Sequence, residues 1–229
     1  MGNIKQLAEN EYYHIYNRGT DKRMIFMNDA DKERFIKLLY LSNGEERVLM
    51  EPLARMPLKE IITLHRKDKP LTAIGAYCLM PNHFHILVKE IKPKGITQFM
   101  QKVGTAYAMY FNTKYKRTGR LFEGTFKASR IANDNYLRYI FSYIHLNPVK
   151  LIDYGWKEEG IKDIEHARNF LERYQHSSYH DFAGVIRPEQ ALLARAHFPD
   201  YFSGKREFAE TINDWLTYHQ TQKALEGRV

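Results

Sequence analysis

Cysteine is almost missing from this 229-residue chain, which has one, Cys78. A single thiol excludes an internal disulfide framework and any zinc module built on several cysteines. Its apolar neighbours mark Cys78 as a packed strand residue rather than a nucleophile. No apolar run approaches the roughly 20 residues that a membrane span requires. The opening "MGNIKQLAENEYYH" lacks the basic and apolar regions of a secretion signal, so cytoplasmic residence is the expectation. Internal repeats, low-complexity tracts and flexible linkers are absent as well. What remains, at 44% hydrophobic and 14% aromatic content, is long enough for one sizeable core, or for a core domain with a small helical appendage.

Acid is in short supply relative to base. Lys and Arg number 35 against 27 Asp and Glu, giving a net charge of +8 and an isoelectric point near 9.3. Such a balance suits a polyanionic partner. The excess is concentrated in one stretch, where Lys114, Lys116, Arg117, Arg120, Lys127 and Arg130 face a single acid, Glu123. Tyr115, Phe122 and Phe126 are interleaved with these cations. Single-stranded nucleic acid calls for that mixture: cations for phosphates and ring faces for unstacked bases. A solvated loop with snorkelling lysines would read the same way.

Hydrophobic periodicity predicts strand, helix, strand, strand, helix, strand, helix. "YYHIYNRG" is a β-rich run closed by a turn signal, and "DADKERFIKLLYLS" is a helix capped at Asp29 or Asp31. Residues 43–70 form an inserted, partly helical excursion. "LTAIGAYCL" and "HFHILVKE" are two strands joined across Met80-Pro81-Asn82. "GITQFMQKVGTAYAMYFNTKYK" is a long helix, and "GRLFEGTFKASRI" is a strand or hairpin with a glycine at each bend. "NDNYLRYIFSYIHLNP" is the clearest helix, with Leu137, Ile140, Phe141 and Ile144 on one face and Pro148 to stop it. Beyond Arg187, "RPEQALLARAHF" and "KREFAETINDWLTYHQTQKAL" are helical by pattern, with Pro188 at a first turn. The expected fold is α+β: an antiparallel, ferredoxin-like or RRM-like sheet with its long helices on one face, over residues 1–186, followed by a small helical extension at 187–229.

The triplet His83-Phe84-His85 sits inside the second strand of that hairpin. Alternation puts both imidazoles on one face and sends Phe84 to the other, towards the core. Two neutral imidazoles side by side are most of a divalent-metal site, but the triplet also arises by chance, so further donors are needed. The late helix supplies candidates. Tyr139, Tyr143 and Asn147 fall at i, i+4 and i+8, along one side, where an Asn oxygen would complete the sphere and a Tyr would stand beside it. Asn147 precedes Pro148 and is biased away from α geometry, so the last turn is expected to open there. An aromatic helix packed under the sheet is the plainer reading of the same residues.

Four stretches, "YYHIYNRG", "CLMPNHFHILV", "FNTKYKRTGRLFEGTFKA" and "YLRYIFSYIHLNPVKLIDY", together with a fainter "HSSYHDF", resemble the REP-associated tyrosine transposases of the single-tyrosine HUH superfamily. The likeness covers roughly residues 12–182. It implies cleavage of single-stranded or hairpin DNA, dependent on Mg²⁺ or Mn²⁺, through a tyrosine that becomes linked to the 5′ phosphate. It places His83, His85 and Asn147 as metal ligands and Tyr143 as nucleophile. It also implies association with the nucleoid when bound to DNA, and it leaves open a homodimer. The excursion at 43–70 and the tail after 187 depart from the compact family pattern and inherit no role. No side chain presents itself as a general base, although Tyr139 and His145 lie close in sequence. The alternative from another class is a non-catalytic, RRM-like nucleic-acid-binding protein using the Lys114–Arg130 surface. A zinc hydrolase is a third reading, disfavoured by the lack of a carboxylate ligand near the pair.

Overall fold

The computed structural model describes residues 7–46, 52–65, 69–200 and 204–226, and side chains as far as Tyr218. The first six residues and two parts of the 43–70 excursion, 47–51 and 66–68, lie outside the described residues. Strand β1 (Tyr12–Arg18) leads into helix α1 (Asp29–Leu41), which starts where the Asn28 side chain accepts the Asp31 N–H. The excursion carries one short helix, α2 (Leu58–Leu64). Strands β2 (Thr72–Met80) and β3 (His83–Glu90) form the expected hairpin around Pro81-Asn82. Helix α3 (Gly95–Lys114) and strand β4 (Lys127–Ile131) follow, then helix α4 (Asp134–Leu146), capped by the Asn133 side chain on the Tyr136 N–H. Gly95 is required where α3 begins, because a Cβ there would stand 1.9 Å from the Leu71 carbonyl oxygen.

The four strands pair antiparallel in the order β2-β3-β1-β4. With α1 and α3 in the crossovers, this is the β-α-β-β-α-β arrangement of ferredoxin-like folds, with the first and third strands in the centre. Alternation sorts the side chains. Tyr13, Ile15, Phe84, Ile86 and Val88 face Phe35, Leu39, Phe99, Val103 and Tyr107 of α1 and α3. The opposite side of the sheet carries Ala76, Cys78, Met80 and Leu87, which pack on Leu137, Ile140 and Ile144 of α4. So α1 and α3 share one face as expected, and α4 covers the other. That second placement brings the tyrosine helix onto the face where His83 and His85 point.

Three short-range expectations give way to tertiary contacts. Asn147 stays helical (φ −54°, ψ −37°), and the chain runs on through a 3₁₀ turn, Asn147–Leu151, with Pro148 in its first turn. Proline lacks an N–H that this position does not need. In "GRLFEGTFKASRI" the strand proper is Lys127–Ile131, and the earlier part touches the sheet through a lone bridge between Gly19 and Phe122. Finally, "RPEQALLARAHF" forms two 3₁₀ turns, Pro188–Leu192 and Arg195–His197, rather than an α-helix. Leu193 between them is extended and bridges Ile74, with the Ala194 N–H bonded to the Ile74 carbonyl at 2.9 Å. Backbone pairing along the outer edge of β2 outweighs helix propensity there.

The rest of the tail comprises α5 (Trp156–Glu159), α6 (Ile164–Arg173), α7 (Tyr179–Phe182) and α8 (Lys205–Glu226). Residues 176–178 also run along β2, through Leu79 N–H to His176 O at 3.0 Å and Ser178 N–H to Tyr77 O at 2.9 Å. Phe208, Ile212 and Leu216 of α8 are buried in the same cluster as α4. Among the described residues, no helix is long and apolar enough to cross a membrane.

Candidate active site

Register decides which side chains meet. On β3, His83 and His85 are two residues apart, and their rings stand 4.9 Å centroid to centroid at 86°. On β1, Arg18 is opposite His83 and Tyr16 is opposite His85, so Arg18, Tyr16 and His14 lie on the same face as the pair. Lys127 of β4 is opposite Tyr16 and adds a cation from the other side.

Each imidazole of the pair has its Nδ1 engaged. His83 Nδ1 is 2.6 Å from Asn82 Oδ1, and Asn82 in turn donates through Nδ2 to the Lys22 carbonyl at 3.1 Å. His85 Nδ1 is 2.8 Å from Nε2 of His14. His83 donates through Nδ1 and so presents Nε2 as a lone pair; His85 does the same in the tautomer whose Nδ1–H donates to His14 Nε2. Burial is the main reason all three stay neutral. It pushes His14 and His83 down to about 4, helped by Lys157 and Lys150 respectively, and holds His85 well below the ordinary histidine value, with His14, His83 and two lysines adding to the effect.

Helix α4 delivers the next two groups. The Tyr143 ring stands edge-on to His85 at 5.5 Å and to His14 at 6.1 Å. One turn before it, Tyr139 lies nearly parallel, 6.0 Å away at 12°. The Lys157 ammonium of α5 sits over the Tyr143 ring, 4.3 Å from its centroid, a cation–π contact. Asn147 is 2% exposed, its side chain reaches His83, and its Nδ2 has no partner. Among the described residues, no group of three or more His, Cys, Asp or Glu is arranged to hold a metal ion. The donor set therefore depends on the Asn147 amide. Coordination by Asn147 would use its Oδ1, and that oxygen with the imidazole nitrogens of His83 and His85 is a donor set that fits a divalent ion.

Asn82, His83, His85 and Tyr143 line a cleft of about 730 Å³, together with Tyr16, Arg18, Lys22, Glu123, Lys127, Lys150 and Tyr154. Its volume lies within the usual range for ligand sites, ~300–1,000 Å³. Of the six cations expected to meet nucleic acid, Lys127 reaches it. Lys114 instead pairs with buried Asp31 at 2.6 Å, and Arg130 with Glu11 at 2.7 Å. Arg117 bonds Asn112 Oδ1 at 3.2 Å and covers the Phe111 ring, while Lys116 and Arg120 are exposed in the loop between α3 and β4. Sequence reasoning passed over His14, Arg18 and Lys150. The signal for the first two was present in "YYHIYNR", where period-two alternation aligns Tyr12, His14, Tyr16 and Arg18. His145 is turned away from the cleft, bonded to Ser178 Oγ at 2.7 Å and walled by Phe141, Phe182 and Phe208.

The model of one protein family, the IS200-like transposases, matches residues 8–147. No curated protein matches the chain. A solved structure of a REP-associated tyrosine transposase bound to a REP hairpin is similar over 82% of this chain and 90% of that one, at 12% identity and a TM-score of 0.44.

Proposed function

Because the chain belongs to the family of IS200-like transposases, whose model spans well over half of it, we propose that it cuts and rejoins single-stranded or hairpin DNA, with Tyr143 as the nucleophile. One observation carries this reading: Tyr143 stands 5.5 Å from His85 within a single chain, in a cleft edged by Arg18, Lys22, Lys127 and Lys150. Lys22, Lys127 and Lys150 would hold the backbone phosphates and align the strand, while Arg18 is paired with Glu123 at 2.5 Å. The Tyr143 oxygen then attacks phosphorus, forming a P–O bond to the phenol as the P–O3′ bond breaks; the phenolic proton passes to water, and the departing 3′ oxygen takes a proton from water to become a free 3′ hydroxyl. The resulting 5′-phosphotyrosine keeps the energy of the original diester, so a 3′ hydroxyl can reverse the step on another strand and restore Tyr143 without ATP.

His83, His85 and Asn147 would hold Mg²⁺ or Mn²⁺, and the bound ion would polarise the scissile phosphate. His14 and Asn82 hold the two rings through their Nδ1 atoms. Lys157 packs its ammonium on the Tyr143 ring and so helps to hold the ring in place. A protein that merely bound nucleic acid would have no use for a tyrosine set against two outward Nε2 atoms. The test is incubation with a labelled hairpin oligonucleotide carrying single-stranded flanks, in Mn²⁺ or Mg²⁺. A covalent adduct that survives denaturing electrophoresis is expected from the parent protein and not from Tyr143→Phe; an adduct of equal yield from Tyr143→Phe would remove the nucleophile assignment.

A further inference from the structure

A second cavity, of about 330 Å³, lies between α4, α5 and α8. Its walls are Tyr139, Tyr143 and Leu146 from α4, Trp156, Lys157 and Glu158 from α5, then Ile161, and Trp215 and Tyr218 from α8. Five of these nine are aromatic, and the chain's two tryptophans are both among them. The rings are in register. Tyr136, Tyr139 and Tyr143 run nearly parallel along one side of α4, 5.9 and 6.0 Å apart at 15° and 12°. Trp215 closes on Tyr139 at 5.4 Å, and Tyr218 on Trp215 at 6.0 Å and 35°. Flat π surfaces around a void of this size suit a flat, polarisable occupant rather than an aliphatic one.

Charge narrows the choice further. Lys157 and Glu158 both border the cavity, so it offers a donor and an acceptor and no net attraction for phosphate. A nucleobase, with a π face and mixed edge groups, matches all of these; the phosphodiester does not. Tyr143 lines this cavity and the histidine cleft at once, so a strand threaded through the cleft has its neighbouring nucleoside at the cavity mouth.

We propose that the cavity is a nucleobase subsite that takes one unpaired base beside the phosphate attacked by Tyr143, packed against Trp215. The proposal rests on the transposase reading above. Tyr139 and Tyr143 lie within the residues matched by the family model, whereas Trp215 and Tyr218 come from the segment after 187, which inherits no role from the resemblance.

The two tryptophans supply the assay. The Trp156→Phe protein leaves Trp215 as the lone fluorophore, and it is titrated in EDTA, so that no strand is cut, with a 20-residue oligothymidylate or a 20-residue abasic strand of equal charge. Binding is followed in parallel by anisotropy of an end label. Oligothymidylate is expected to quench Trp215 at saturation, and the abasic strand to leave it unchanged. In the parent background, Trp215→Ala is expected to weaken oligothymidylate about ten-fold, as loss of one stacked base does, and to leave the abasic strand's affinity as it was. Trp215→Tyr should recover most of the loss. Unquenched Trp215 at saturation, an equal loss for both strands, or no binding of either strand each overturns the subsite. The hairpin adduct test stands apart: an adduct that depends on Tyr143 with an unresponsive Trp215 sinks the subsite alone.

Discussion

His14 and His85 share a hydrogen bond across the two central strands, Nε2 to Nδ1 at 2.8 Å, with their rings stacked 5.0 Å apart. Both are nearly buried, at 6% and 7% exposure. The bond locks the ring whose other nitrogen is offered to the cleft, so His14 acts on the site through His85 without reaching it. His14→Ala is expected to weaken Mn²⁺ binding by about 10- to 100-fold, the usual consequence of losing an outer-shell partner. Calorimetric titration of apoprotein with Mn²⁺ measures it, and an unchanged affinity would show that His85 is oriented by packing alone.

Because Tyr143 meets His85 within one chain, each protomer should be complete. Mixing Tyr143→Phe with His85→Ala protein is therefore expected to give no adduct with the labelled hairpin. Recovery of adduct towards a quarter or half of the parent yield would place the tyrosine and the histidines on different protomers.

Phe84, between the two histidines, belongs to the other side of the sheet. It is 2% exposed, with Phe35 5.0 Å and Phe122 6.1 Å from its ring. Phe84→Ala should cost about 3–5 kcal/mol in urea unfolding. His83→Ala, on a half-buried residue next to it, should cost ~1 kcal/mol or less and abolish cleavage. Similar losses of stability from the two would contradict the alternation of roles along β3.

Lys114 is expected to matter for stability and little for DNA. Its ammonium is 2.6 Å from Asp31 Oδ1, and the other contacts of that carboxylate are Tyr110, Tyr115 and the Met27 N–H. Burial opposes ionisation of Asp31, but these bonds prevail and hold it below the usual carboxylate value. A lowered folded value means that the unfolded chain takes up the proton first as pH falls. The stabilisation is thus complete above the unfolded carboxylate value, about 3.9, and is lost as pH falls through the lower folded one. Asp31→Asn should flatten the acid end of the stability curve measured by urea unfolding between about pH 3 and 7. Lys114→Ala should lower stability by ~1–3 kcal/mol and leave oligonucleotide affinity within about two-fold.

Much of the scaffold was legible because it is written in short-range patterns. Alternation in "HFHILVKE" separated Phe84 from its neighbours, and Asn133 followed by an apolar stripe announced α4. What was not legible depends on residues far apart in the chain. The charge run from Lys114 to Arg130 looked like one surface, yet Asp31 and Glu11 take two of its members, and neither acid is visible from within the run. His14 looked like one residue in a strand, since its partner is 71 positions away. The segment from Pro188 had a helical pattern, but the free edge of β2 offered its backbone a competing set of partners. His83, His85, Tyr143 and Asn147 were expected together from spacing and resemblance, and the fold brings them near one another; the aromatic side chains beside Tyr143 were not anticipated, because α5 and α8 contribute them from later in the chain.

The outer edge of β2 bears on how the molecule behaves outside catalysis. This strand is nine residues long, buried along its whole length, and uncharged. Its outward N–H and C=O groups are met by residues 176–178 and 193–194. A chain cut after Leu151 would keep His83, His85, Tyr143 and Asn147 but leave that apolar edge open as a template for strands of other molecules. Light scattering of such a truncation should reveal self-association before any assay of cleavage becomes meaningful. The tail's segments alongside β2 thus act as a gatekeeper of solubility, keeping that apolar edge from collecting strands of other molecules.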